Sequence, residues 1–257
     1  MRTGLGLGVT YDVDAEFLSS YSLSFDGSND YIKIPSTGLS LNDWTMSCWV
    51  KVGSSNTATY PGILSTRSGS DNDYQTGVTI QLLEGSGGGY FYFDMEGNAT
   101  DGHISEVSAN TPTVGKWYHL AYTVDRDGGS GGVKQYVNGV LANTDTAVDN
   151  ATSIDNIQIG ARYYSSAIGQ YFKGNLDEAA LWDAVLSEKD IKGIYNNGMP
   201  NNLLLPGVYA TDRTSNLKGW WRFEEGSGTS VADSSGNGNT GTISDARWSD
   251  GGKQLPI

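Results

Sequence analysis

Five successive residues, Asp26-Gly27-Ser28-Asn29-Asp30, place three potential oxygen ligands, Asp26, Asn29 and Asp30, in one short loop. Hard oxygen donors gathered on a turn can hold a cation, and the same residues are also plain turn formers that hydrogen-bond their own backbone. A second pair of carboxylates, Asp94 and Glu96, stands two residues apart in Tyr90-Phe-Tyr-Phe-Asp-Met-Glu96. On a strand that spacing puts both on one face roughly 7 Å apart, within range for acid/base work on a glycosidic bond. A solvated strand face accounts for them equally well. Tyr90 and Tyr92 share that face, and with Trp49, Tyr163 and Tyr164 they are rings on which the C–H faces of a sugar could rest, or rings that pack inside the protein.

Other chemistry is thin. The two histidines are His103 and His119, and His119, within a strand between Trp117 and Ala121, reads as packed rather than catalytic. No Ser-His-Asp order or Cys-His pairing emerges. Asp233-Ser-Ser235-Gly-Asn237-Gly238 imitates the first half of a calcium-binding helix–loop–helix motif, but position twelve is Ser244, so it reads as an Asx-rich turn.

The elements that position these residues follow from hydrophobic periodicity. Leu23 and Phe25 alternate with serines, and Ile32 and Ile34 with Tyr31 and Lys33, giving two half-buried strands joined by the Asp26–Asp30 loop as a hairpin. Trp44, Met46, Cys48, Val50 and Val52 take one face of the next strand, and Thr45, Ser47, Trp49 and Lys51 the other. Phe91, Phe93 and Met95 alternate with Tyr90, Tyr92, Asp94 and Glu96. Residues 117–124 carry bulky side chains on both faces, which predicts a central strand, and Asn138-Gly139 is a strong hairpin signal. Ser187-Glu-Lys-Asp190 is a capping box opening one helix that ends at Asn197-Gly198. Short strands with regular turn signals and a single late helix predict an all-β, two-sheet antiparallel sandwich.

Composition agrees. In 257 residues there are 35 glycines and 11% aromatics but only 18% charged residues, which favours tight turns over long helices. A net charge of -13 sets the surface against nucleic acid while suiting cations and neutral sugars. One cysteine, Cys48, rules out a disulfide within the chain. Residues 1–10 lack the apolar core of an export signal, and no run of 18 apolar residues exists to enter a membrane.

Five motifs occur in order: Leu23-Ser-Phe-Asp-Gly-Ser-Asn-Asp-Tyr-Ile32, Thr45-Met-Ser-Cys-Trp-Val50, Gly115-Lys-Trp-Tyr-His-Leu-Ala121, Tyr136-Val-Asn-Gly-Val140 and Gly174-Asn-Leu-Asp-Glu-Ala-Ala-Leu-Trp-Asp183. Together, over about residues 20–197, they resemble the LamG-like jelly-roll domains of the concanavalin A-like lectin/glucanase superfamily. The resemblance implies two packed sheets with an exposed concave face. It also implies a structural Ca2+ at the rim, held by Asp26 and Asp177 with Asn29 or Asp30 assisting. Trp221-Arg-Phe-Glu-Glu-Gly-Ser-Gly, Asp233-Ser-Ser-Gly-Asn-Gly-Asn and Trp248-Ser-Asp-Gly-Gly look like the segment that usually precedes the Phe-Asp-Gly strand. Here they follow the helix, as in a circular permutation, and the tail either completes its own sandwich or that of a neighbouring subunit.

The expected organisation is an arm over residues 1–20, a sandwich over 21–200, and a connecting and completing tail over 201–257. The glucanases of this fold carry a run of acidic residues on one concave strand, and this chain has none, so a non-catalytic, lectin-like interaction module is expected. Its ligand candidates are Trp49, Tyr90, Tyr92, Asp94 and Glu96, and its metal candidates Asp26, Asn29, Asp30 and Asp177. The resemblance extends to virion proteins of marine tailed bacteriophages, implying a head-decoration, fibre or tail-adhesion role. Partners would then be other virion proteins, further copies of the chain or cell-surface glycans, reached after host lysis. A secreted bacterial carbohydrate-binding module and a degenerate glucanase are the alternatives.

Overall fold

The computed structural model describes residues 17, 19–35, 39–40, 43–67, 77–83, 89–96, 103–107, 111–128, 132–146, 153–154, 156–164 and 167–250, with the backbone alone at 39–40, 96, 103–107 and 153–154. Among the described residues two antiparallel sheets of eight strands face each other. The first runs β11 (Val140–Asp145), β10 (Val133–Val137), β9 (Trp117–Val124), β4 (Trp44–Val52), β16 (Lys173–Trp182), β1 (Tyr21–Asp26) and β20 (Arg247–Asp250), with β17 (Leu217–Trp221) also on β16. The second runs β18 (Ser230–Val231), β19 (Gly241–Ser244), β2 (Tyr31–Ile34), β13 (Ile157–Ile159), β5 (Gly62–Ser65), β6 (Gly77–Leu83), β7 (Tyr90–Glu96) and β8 (His103–Val107). Two small ribbons, β12 (Ser153–Ile154) with β3 (Leu39–Ser40) and β14 (Arg162–Tyr164) with β15 (Ala167–Gly169), flank them.

Alternation decides what lies between the sheets. Met46, Cys48 and Val50 from β4 meet Phe91, Phe93 and Met95 from β7 in one core, all at most 1% exposed. Burying such side chains is the main stabilising term, about 1.5–3 kcal/mol for each large one. The Asn138-Gly139 turn joins β10 to β11 with φ of 51° and 74°, the left-handed pair that a two-residue hairpin requires.

One expectation is corrected. The Asp26–Asp30 loop is not a hairpin, because β1 pairs with β16 and β20 in the first sheet while β2 pairs with β13 and β19 in the second. The loop is a corner that carries the chain from one sheet to the other. Gly27, at φ +84° with Lys173 against it, makes that corner.

The far face of the first sheet is covered as well. Helix α1 (Glu188–Tyr195) starts at Ser187, whose Oγ accepts from the Asp190 amide while the Asp190 carboxylate accepts from the Ser187 amide. Ile191 and Ile194 pack with Trp182, Leu203, Tyr209 and Trp220 into a second apolar cluster. The strands after residue 216 enter both sheets: β17 and β20 the first, β18 and β19 the second.

Candidate functional site

Two surfaces collect the chemistry-bearing side chains. The first is the sheet-to-sheet corner. Asp26 ends β1, and its Oδ1 accepts from the Ser28 amide at 2.7 Å, while Asp30 Oδ2 accepts from the Asp26 amide at 2.7 Å. Asn29 donates its side-chain N–H to Asp245 Oδ2 at 2.7 Å, so the turn between β19 and β20 closes the other side. Ser24, Asp26, Asn29, Asp30, Asp245 and Arg247 line one open cavity of about 390 Å3. Burial pushes the Asp30 carboxyl above the usual range; the hydrogen bond from the Asp26 amide and, less, Arg247 oppose this, while the Asp26 and Asp245 carboxylates add to it.

Asp177 does not join them. In the β1–β16 register Leu23 lies opposite Leu176 and Asp26 opposite Lys173, so Asp177 sits four residues along the ladder, roughly 13 Å from Asp26. It is fully buried on the outer side of the first sheet, where Ser19 Oγ donates to its Oδ2 at 2.7 Å. Among the described residues no group of three or more His, Cys, Asp or Glu side chains converges as a metal cage. The ligand set expected from the resemblance therefore does not fit as one shell: Asp26, Asn29 and Asp30 share a cavity, and Asp177 belongs elsewhere.

The second surface is the outer face of the second sheet. With Phe91, Phe93 and Met95 turned inward, β7 presents Tyr90, Tyr92 and Asp94 outward. Tyr90 is 40% exposed. Tyr92 lies 5.5 Å from the Tyr60 ring. Arg162 donates from Nε to the Tyr60 carbonyl at 3.1 Å, and its guanidinium stands 5.9 Å from the Tyr60 ring and 5.3 Å from the Tyr164 ring. Tyr164 is 52% exposed, and Tyr163 beside it is half-buried. Beneath these rings a polar row crosses the sheet, Gln158 opposite Ser65, Ser65 opposite Thr79, and Thr79 opposite Asp94. Asp94 is buried, accepting from Arg67 at 2.6 Å and from Gln81 at 3.2 Å. Glu96 continues the strand, and its side chain lies outside the described residues.

An ion-paired, buried Asp94 is not a free acid or base on this face. Trp49 is also corrected as a ligand platform. It faces away from the inter-sheet core, and α1 covers that side, leaving it 3% exposed with Tyr195 at 5.7 Å and His119 at 5.3 Å. His119 is fully buried there. Asp233 accepts from the amides of Trp220, Ser235 and Asn239, the role of an Asx-rich turn. Sequence reasoning missed Tyr60, Arg162, Asp245 and Arg247. The run Arg162-Tyr163-Tyr164 held a signal, a cation beside two rings; the others are brought in by distant pairing alone.

Comparison with solved structures gives the same architecture. A candidate carbohydrate-binding protein from Bacteroides ovatus superposes with a TM-score of 0.62 at 17% identity over 90% of this chain, which spans 60% of that one. The CBM40 module of the Ruminococcus gnavus IT-sialidase, in complex with α2,3-sialyllactose, gives a TM-score of 0.55 at 15% identity over 69% of this chain and 98% of that one. A heptameric SAP-like pentraxin from Limulus polyphemus gives 0.53 at 18% identity over 70% and 83%. At these identities the likeness is one of fold. No curated protein matches the sequence. A sequence model of the laminin G type, described as the concanavalin A-like lectin/glucanases superfamily, matches residues 26–192, and the chain belongs to that superfamily.

Proposed function

We propose that this chain is a non-catalytic, lectin-like module that binds a neutral glycan on the outer face of its second sheet. The observation that carries the reading is the arrangement of Tyr60, Tyr92, Tyr164 and Arg162 in one ring-and-guanidinium chain, with Tyr90 open beside it, over a polar sheet face. Aromatic faces take up sugar C–H surfaces, and a few fixed polar groups orient hydroxyls. A net charge of -13 favours uncharged over anionic sugars. The carbohydrate-binding neighbours support glycan binding as such, though not the preference for a neutral sugar. The Asp94–Arg67 ion pair supports a binding role over a hydrolytic one.

Glycan-array screening followed by calorimetry tests this. Tyr90→Ala and Tyr164→Ala should each weaken the best ligand about two- to tenfold, since one ring contacting a ligand contributes about 0.5–1.5 kcal/mol. Both rings are exposed, so folding should be unaffected. Unchanged affinity in both variants would sink this surface as the site.

In its finer form the reading places the module on a bacteriophage virion, for decoration, fibre or tail adhesion. The displaced tail segment supports it, through its likeness to such proteins. Antibody against the chain should label phage particles from a lysate of the source culture; label confined to bacterial surfaces would favour the secreted module instead.

A further inference from the structure

Among the described residues the first sheet ends at β11, and this edge is little protected. Val140 is 63% and Leu141 39% exposed, and no charged residue occurs in the strand before Asp145. Sheet edges normally carry charge, proline or very short strands, because their free N–H and C=O groups recruit other chains. The opposite edge obeys that rule, since β20 has four residues with Arg247 and Asp250 at its ends, and in the second sheet the edge strand β18 has only two. β11 has six, interrupted by one irregularity in its pairing with β10.

The chain itself contains a segment whose sequence pattern would fit. Residues 5–13, which lie outside the described residues, read Leu5-Gly-Leu-Gly-Val-Thr-Tyr-Asp-Val13, apolar at every second position. That is the pattern of a strand with one face to bury. The next described residue, Phe17, is stacked on Trp220 at 5.8 Å with the Arg222 guanidinium 4.1 Å from its ring. Ser19 and Ser20 follow, bonded to Asp177 and Glu224. The arm is thus anchored beside β17.

We propose that residues 5–13 of one copy add as a strand to the β11 edge of a second copy. Reach decides between copies. In strand order, β16, β4, β9 and β10 lie between β17 and β11, which makes five spacings or roughly 24 Å. The four Cα steps from Phe17 to Val13 cover at most about 14 Å. The arm cannot lay its whole apolar run on its own β11, whereas the edge of an adjacent copy meets no such limit. Main-chain hydrogen bonds then supply affinity, and Leu5, Leu7, Val9, Tyr11 and Val13 gain a surface to cover. Reciprocal exchange closes a dimer.

Light scattering on the full chain and two variants tests this. One variant lacks residues 1–16; the other keeps the arm but carries Leu141→Lys and Thr144→Pro, which charge the edge and remove an N–H group that points away from β10. The full chain should be dimeric or larger at high micromolar concentration, and each variant monomeric with a cooperative thermal transition. Mixed, the two variants should form a one-to-one pair, because one keeps a donor arm and the other an open edge. A monomeric full chain, an oligomer that persists without the arm, or failure of the mixture to pair would each overturn the proposal. None of these outcomes depends on a glycan.

Discussion

Asp30 is buried at the corner between the sheets, only 4% exposed, and shares its cavity with the carboxylates of Asp26 and Asp245. Its raised pKa means that the folded chain holds this proton more tightly than the unfolded chain does. Asp30 therefore opposes folding above its raised pKa, and that penalty fades as the pH falls through it. Asp30→Asn keeps an oxygen that can accept from the Asp26 amide and removes the charge. It should raise the melting temperature by about 1–3 °C at pH 7, with the gain gone near pH 4. A gain that persisted at pH 4 would show that the buried charge of Asp30 was not its source. The same crowding bears on calcium. With Asp177 elsewhere and Arg247 in the cavity, the melting temperature should be equal in EDTA and in millimolar Ca2+; a rise of several degrees with calcium would show that the corner closes into a shell. On the second sheet, Arg67→Ala should cost about 3–5 kcal/mol in urea unfolding, because it strands the buried Asp94 charge.

Helix α1 illustrates how context reverses a propensity. Gly193 lies within it, and in an exposed helix Gly→Ala gains about 1 kcal/mol. Here a Cβ would sit 1.9 Å from the Val208 carbonyl oxygen, so Gly193→Ala should destabilise by about 2 kcal/mol or more; a stabilised variant would contradict the packing of α1 on residues 206–208. The capping box, the β4 and β7 alternations and the Asn138-Gly139 hairpin were legible because each is written within a dozen residues and enforced by local geometry. The Phe-Asp-Gly loop was misread as a hairpin because turn chemistry is silent about which sheet the next strand joins. Trp49 was assigned correctly to the face away from the inter-sheet core, but nothing local reveals that α1, from about 140 residues downstream, covers that face. Arg67, Arg162 and Asp245 reach their partners through strand pairing over long separations, which periodicity does not encode. The ring-rich face was therefore partly legible: Tyr90, Tyr92, Tyr163 and Tyr164 were visible as rings, whereas Tyr60, Arg162 and the pairing that joins them were not.

For the molecule as a whole, the controlling fact is that Tyr21 and Asp250 lie opposite each other in the β1–β20 ladder. The two ends of the sandwich are neighbours, so closing them and opening the chain at an exposed turn should preserve the fold. A permutant starting at Asp212 and ending at Thr211, with Asp250 joined to Tyr21 by a short glycine linker, should unfold cooperatively within about 2 kcal/mol of the natural order. Loss of cooperativity would mean that residues 17–20, which the linker replaces, hold the sandwich together more firmly than their few contacts suggest. The same adjacency governs how the domain bears load. A pull on both ends acts at one end of an antiparallel pair, so after the Phe17 stacking contact lets go, the ladder hydrogen bonds break singly and in sequence rather than all in shear. Tethered by its two ends, the sandwich is a soft link.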